Sequence, residues 1–157
     1  MTEIVEARAR RSPADLAFAI VRIVAGLTIA YHGYPKLTNG VAGLAGSVIP
    51  KIGLPAPLVV AYIVMIAEVA GGLLLAAGLF TRIVAIPLVI EFLVIVLIVK
   101  FANGFIAFAP TAINPGFAGM VPGGFEFEFL LGIICLASLI GGPGAYSLDG
   151  AIARRRG

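Results

Sequence analysis

Four stretches of the chain are almost free of polar residues, over residues 16–34, 57–80, 83–99 and 125–140. Each approaches the ~20 apolar residues that cross a ~30 Å hydrocarbon core. Backbone N–H and C=O groups find no water in lipid, so runs of this length are expected as helices. The last run opens with Glu126 and Glu128, so its first turn is expected to face protein or water. The pattern predicts an all-α membrane protein: one integral domain over residues 1–157, built as a bundle of four transmembrane helices.

The connections have their own grammar. "SPADLAF" reads as a helix start, with Ser12 as N-cap and Pro13 at the first helical position. "KLTNGVAGLAGSVIPKIGLPAP" is long for a helix–helix connection, and Val41, Leu44, Ala45 and Val48 recur at helical spacing. A short amphipathic segment between helices 1 and 2, lying on or dipping into the outer surface, is predicted there. "GLFTR" predicts a tight turn in which Gly78 ends the second helix and Arg82 opens the third. Pro87 is placed to kink that third helix. The stretch 101–124 is rich in Gly, Pro and Phe; exposed to water it would be poorly solvated, so it is expected to form an apolar outer lid between helices 3 and 4. "GGPGAYSLDGAIARRRG" predicts a stop, a capped polar turn and a basic tail.

Composition fixes the solvent. Hydrophobic residues make up 61% of the chain and charged ones 12%, with a mean hydropathy of +1.10, against about a quarter charged in soluble domains. Arg8, Arg10, Arg11, Arg82, Arg154, Arg155 and Arg156 flank one side of the expected bundle, against Lys36, Lys51 and Lys100 on the other. The positive-inside rule then puts both termini and the 2–3 turn in the cytoplasm. The net charge of +3 is thus a topology signal; short basic clusters without interleaved aromatics point away from nucleic acid. The leading "MTEIVEARARRSPADLAF" mixes acids with bases and shows no small-x-small pattern, so a cleaved leader is not expected.

Within this apolar frame a few charges stand out. Arg22 lies on the order of 10 Å from the cytoplasmic edge at ~1.5 Å per residue. Glu68 and Glu91 fall near the expected midplane. An ionised carboxylate there costs at least a few kcal/mol, so it needs a partner, a proton or a cavity. Arg22, Gly26, Ile29 and Gly33 share one stripe, and Glu68 shares a face with Gly71, Gly72 and Leu75. Small residues beside a charge let a second helix approach, which predicts a buried Arg22–Glu68 pair. Such a pair either fixes helix register or forms the polar wall of a headgroup or proton path. Glu91 has no second arginine at its depth and is expected either protonated or turned toward water.

A second cluster is expected at the outer rim: Tyr31, His32, Tyr34 and Lys36 at one helix end, Glu126 and Glu128 at another. Lys36 is predicted close to Glu126, with His32 and Tyr31 lining the same recess. Acids at a helix N-terminus also complement its dipole, which needs no site. Glu126 and Glu128 lie on roughly opposite faces, so only one is expected to point inward.

The inventory of reactive groups is short. One cysteine, Cys135, excludes a CxxC redox pair within the chain. One histidine excludes bis-His haem ligation. No phosphate loop, metal-spaced cluster or Ser–His–Asp set stands out, so no catalytic residue, metal or covalently bound cofactor is expected.

In chain order, "RIVAGLTIAYHGYPKL", "GLPAP", "AEVAGGLLLAAGLFTR", "GGFEFEFLL" and "GGPGAYSLD" resemble the signatures of the DoxX family, from Arg22 to Asp149. Arg22, Lys36, Glu68, Glu126 and Asp149 match that family's charged motif positions. The third-span acid Glu91 and the long apolar 3–4 loop depart from its pattern. The resemblance implies a small four-helix protein of a bacterial-type cytoplasmic membrane, linked to membrane oxidoreductase systems such as thiosulfate–quinone oxidoreduction. It implies a non-catalytic subunit of a redox complex, docking other subunits amid membrane lipid and lining a site for quinone or lipid. Two other functions stand beside it. One is an autonomous small-molecule or proton-coupled carrier using Arg22, Glu68 and Glu91, against which the lack of an internal repeat counts. The other is a quinone-reducing enzyme, for which no electron-carrying group is visible.

Overall fold

The computed structural model describes residues 12–105 and 124–156, and these residues are helical throughout their regular structure. Six helices are named here. They are α1 (Pro13–Asn39), α2 (Ala42–Ser47), α3 (Pro57–Ala77), α4 (Thr81–Asn103), α5 (Glu126–Gly141) and α6 (Leu148–Arg156). Helices α1, α3 and α4, with 27, 21 and 23 residues, are long and apolar enough to cross a membrane. The fourth expected span, α5, has 16 residues, about 24 Å at ~1.5 Å per residue. That is short of the hydrocarbon core, because Gly141, Gly142 and Pro143 stop the helix. The expected lid falls almost wholly within 106–123, outside the described residues.

Helix α1 starts as its sequence dictates. The Ser12 hydroxyl accepts from the Asp15 N–H at 3.1 Å, and the Ser12 N–H donates to the Asp15 carboxylate at 2.8 Å, a reciprocal capping box. The helix runs through Pro35 to Asn39, about a turn beyond the apolar run, before Gly40 turns the chain at φ 86°. The connection then folds as the amphipathic segment its spacing predicts. Helix α2 is followed by a 3-10 turn, Pro50–Ile52, with Val41 and Ile49 buried at its flanks.

Helices α3 and α4 each contain a π-helical stretch, Ala67–Gly71 and Ile95–Lys100. Widened turns of this kind gather at functional sites in proteins generally. Helix α3 ends at Gly78 in a left-handed conformation. The Gly78 N–H bonds to the Leu75 carbonyl at 3.1 Å and the Leu79 N–H to that of Leu74 at 3.0 Å, a Schellman stop.

Packing is inside-out relative to a soluble bundle. Arg22 is fully buried while its neighbour Val24 is 59% exposed. The outward faces of the long helices carry Leu27, Ile66, Leu73, Ile83, Leu97 and Ile98, all exposed. Water would penalise such a surface, and lipid does not. Helices α1 and α3 meet backbone to backbone. A methyl added at Gly26 would lie 2.6 Å from the Gly72 carbonyl oxygen, and one added at Gly72 would lie 2.7 Å from that of Gly26. Helix α4 packs on α5, and the shared core joins Ala25, Ile29, Leu75, Leu88, Phe92, Leu131 and Cys135.

Candidate functional site

The polar groups separate into two centres at opposite ends of the bundle. At one end lies Arg22. Its guanidinium donates to the carbonyls of Pro143 at 2.7 Å and Tyr146 at 2.8 Å. Those carbonyls reach it because Gly142 and Gly144 take positive φ, 78° and 72°, and fold the chain back over the helix ends. Asp149 completes the knot. Its carboxylate accepts from the backbone N–H of Phe80 at 3.0 Å and of Thr81 at 3.1 Å, and so caps α4 from a distant part of the chain. The predicted Arg22–Glu68 pair does not form. Gly26 lies against Gly72, and Gly33 against Glu68 and Val69. That antiparallel register sets Glu68 eleven residues beyond Arg22 along α1, about 16 Å at ~1.5 Å per residue.

At the other end Glu68 pairs with Lys36 in a short, largely buried ion pair. Lys36 is one turn beyond Gly33, the position whose missing side chain lets α3 come close. The expected Lys36–Glu126 contact is therefore replaced. Glu126 sits half-buried at the start of α5, and its neighbour Glu128 points inward and pairs with Lys100 at 2.5 Å. Tyr31 and Tyr34 do not line a recess with His32. They are 75% and 54% exposed and face outward. His32 stacks obliquely on Phe127, with ring centres 5.3 Å apart.

Between these pairs lies a cavity of about 470 Å³. Its walls come from helices α1 to α5. Helix α2 and the turn after it contribute Leu44, Val48, Ile49 and Ile52, and α3 and α4 contribute Ile63, Val64, Ile90 and Ile95. His32, Lys36, Glu68, Glu91, Lys100 and Glu128 supply all its ionisable lining. Glu91 lies against Glu68, close enough for the two carboxyls to share a hydrogen bond. The second oxygens of Glu91 and Glu128 are buried and meet no hydrogen-bond partner among the described residues. Lys100 is the functional candidate that sequence reasoning passed over. It served only to orient the chain, while Glu128 stood in the expected outer cluster but Glu126 was named as the partner of Lys36. The shared position of Lys100 and Glu128 at one end of neighbouring spans was the available signal.

The profile of the DoxX family matches residues 17–101, more than half of the chain. The chain belongs to the DoxX family. The match runs from α1 to the end of α4, so it includes Arg22, Lys36, Glu68 and Glu91. The chain is also similar to an uncharacterized membrane protein of Mycobacterium tuberculosis, 30% identical over 140 residues, which covers 86% of this chain and 80% of that protein. No solved structure matches it. This DoxX protein is therefore an integral, multi-pass membrane protein whose charged residues serve two separate structures. Arg22 and Asp149 tie the helix ends together, whereas Lys36 and Glu68 border the cavity.

Proposed function

We propose that this DoxX protein is a non-catalytic membrane subunit of a respiratory or thiosulfate–quinone oxidoreductase complex, holding a quinone in its cavity and docking a redox-active subunit. In this reading α5 is the fourth span, both termini are cytoplasmic, and the host is a bacterial-type cytoplasmic membrane. The observation that carries it is the cavity, about 470 Å³ of apolar wall ending on Lys36, Glu68 and Glu91. A quinone has the same polarity, an apolar body with polar oxygens on its ring. The residues fit it: Lys36 and His32 have donors for a carbonyl oxygen, and the Ile and Val side chains suit a ring and tail. When bound, a quinone supplies an acceptor for two electrons and two protons. The chain's own part is to orient the ring, exclude water and hold a proton between Glu68 and Glu91.

Purification from native membrane in mild detergent tests both halves. A heterologous subunit at fixed stoichiometry and quinone in the solvent extract are expected, with less quinone retained by Lys36→Met. A lone homo-oligomer carrying no quinone in any preparation would overturn the reading. Cysteine-specific labelling of Ser12→Cys and Arg155→Cys, each with Cys135→Ser, tests the topology. Both positions should react only with reagent on the cytoplasmic side.

A further inference from the structure

Matching the charges in the cavity leaves one group over. Lys36 on α1 pairs with Glu68 on α3, and Lys100 on α4 with Glu128 on α5. Glu91 on α4 has no cation of its own. Glu68 faces it from α3, Lys36 acts on it from α1, and Cys135 lies near it on α5. His32, Lys100 and Glu128 complete the titratable lining. Residues 106–123 hold no charged side chain, so no further cation comes from there.

The free hydrogen-bonding capacity has a definite sense. Two carboxyls share a hydrogen bond only when one of them keeps its proton. The Oε2 of Glu91 is buried with no hydrogen-bond partner among the described residues, and it is an acceptor once the carboxyl is ionised. Glu128 pairs with Lys100, and its second oxygen, buried without a partner among the described residues, is an acceptor too. The cavity therefore presents two buried acceptors in apolar walls, and buried acceptors left unmade are costly.

We propose that the cavity binds an amphipathic organic ammonium ion bearing at least one N–H, seated against Glu91, and that its entry displaces the Glu91 proton to water. The balance is one positive charge in and one proton out. Before entry two lysines face two carboxylates; afterwards the ammonium faces the newly ionised Glu91, and the cavity stays neutral. An anion of the same body would leave a buried charge unmatched. The inference needs the cavity but neither a quinone nor a redox partner.

Three fluorescent probes with one apolar body test it: 2-naphthylmethylammonium, 2-naphthylmethanol and 2-naphthylacetate. Binding is read by anisotropy in nanodiscs against empty nanodiscs, and proton release by an indicator dye in weak buffer at neutral pH. The ammonium should bind roughly tenfold or more tighter than the alcohol, about 1.4 kcal/mol per decade. It should release close to one proton per molecule bound, and the acetate should not saturate. Glu91→Gln should abolish the proton release and weaken only the ammonium. Equal binding of alcohol and ammonium, or ammonium binding without proton release, would overturn the proposal in the wild-type protein alone, whatever the folding of the variant. Quinone extraction is a separate readout, so the two proposals fail separately.

Discussion

At the scale of single residues, the same charge chemistry does two different jobs. Arg22 is buried and bonded to two backbone carbonyls, so it is a structural clasp. Arg22→Met should strand those carbonyls, each at about 1–3 kcal/mol, and lower the thermal midpoint in detergent sharply. Arg22→Lys should recover part of the loss, since an ammonium can still donate to one carbonyl but lacks the fork that reaches both. Lys36 and Glu68 should behave as a coupled pair. Lys36→Met alone leaves a buried carboxylate without its cation, whereas Lys36→Met with Glu68→Met removes the mismatch. The double variant is expected to be more stable than Lys36→Met, with a coupling of about 1–3 kcal/mol in a double-mutant cycle. Additive losses in chemical denaturation would mean that the ion pair does not couple them. The existence of buried charges was legible in the sequence; their partners were not. A backbone carbonyl carries no sequence signal, so nothing in "GGPGAYS" named Pro143 and Tyr146 as the acceptors for Arg22.

At the scale of elements, glycine contacts set the register, and register decides which charges meet. The stripes holding Gly26 and Gly72 were readable as helix-contact faces, but their pairing was not. A shift of one turn along α1 would have brought different groups into reach. Gly72→Val should force α1 and α3 apart at the backbone, costing about 1–3 kcal/mol by overpacking, whereas Gly43→Val, with open space around it, should fold normally. Yield of monodisperse protein after gel filtration distinguishes them. Asp149→Ala should remove the cap of α4 and lower stability by about 1–2 kcal/mol, while Asp149→Asn keeps an acceptor and should lose less. Proteolysis near Phe80, where φ is 51°, reads the loosened turn. The α2 segment was predicted from spacing alone, because an amphipathic period survives whatever it packs against. The π-helical turns have no such signature, since nothing in "AEVAG" differs in pattern from ordinary helix.

At the scale of the whole molecule, apolar runs foretold the three long spans because lipid leaves the backbone no alternative to helix. The apolar run of α5 was legible too, and with 16 residues it is shorter than the three long helices because it ends at a glycine stop. The cavity was legible only in fragments. Glu68, Glu91, His32 and Lys36 were singled out, but their wall is a joint product of helices α1 to α5, including a segment between spans. That segment has a consequence for supply. Leu44, Val48, Ile49 and Ile52 form one wall of the cavity, and Gly40 and Gly53, at φ 86° and 71°, bracket the segment. For a guest dissolved in the bilayer, the mole fraction in lipid, and not the total concentration, sets occupancy. Titrations at constant protein and probe should lose signal as vesicle lipid is added, in proportion to the dilution.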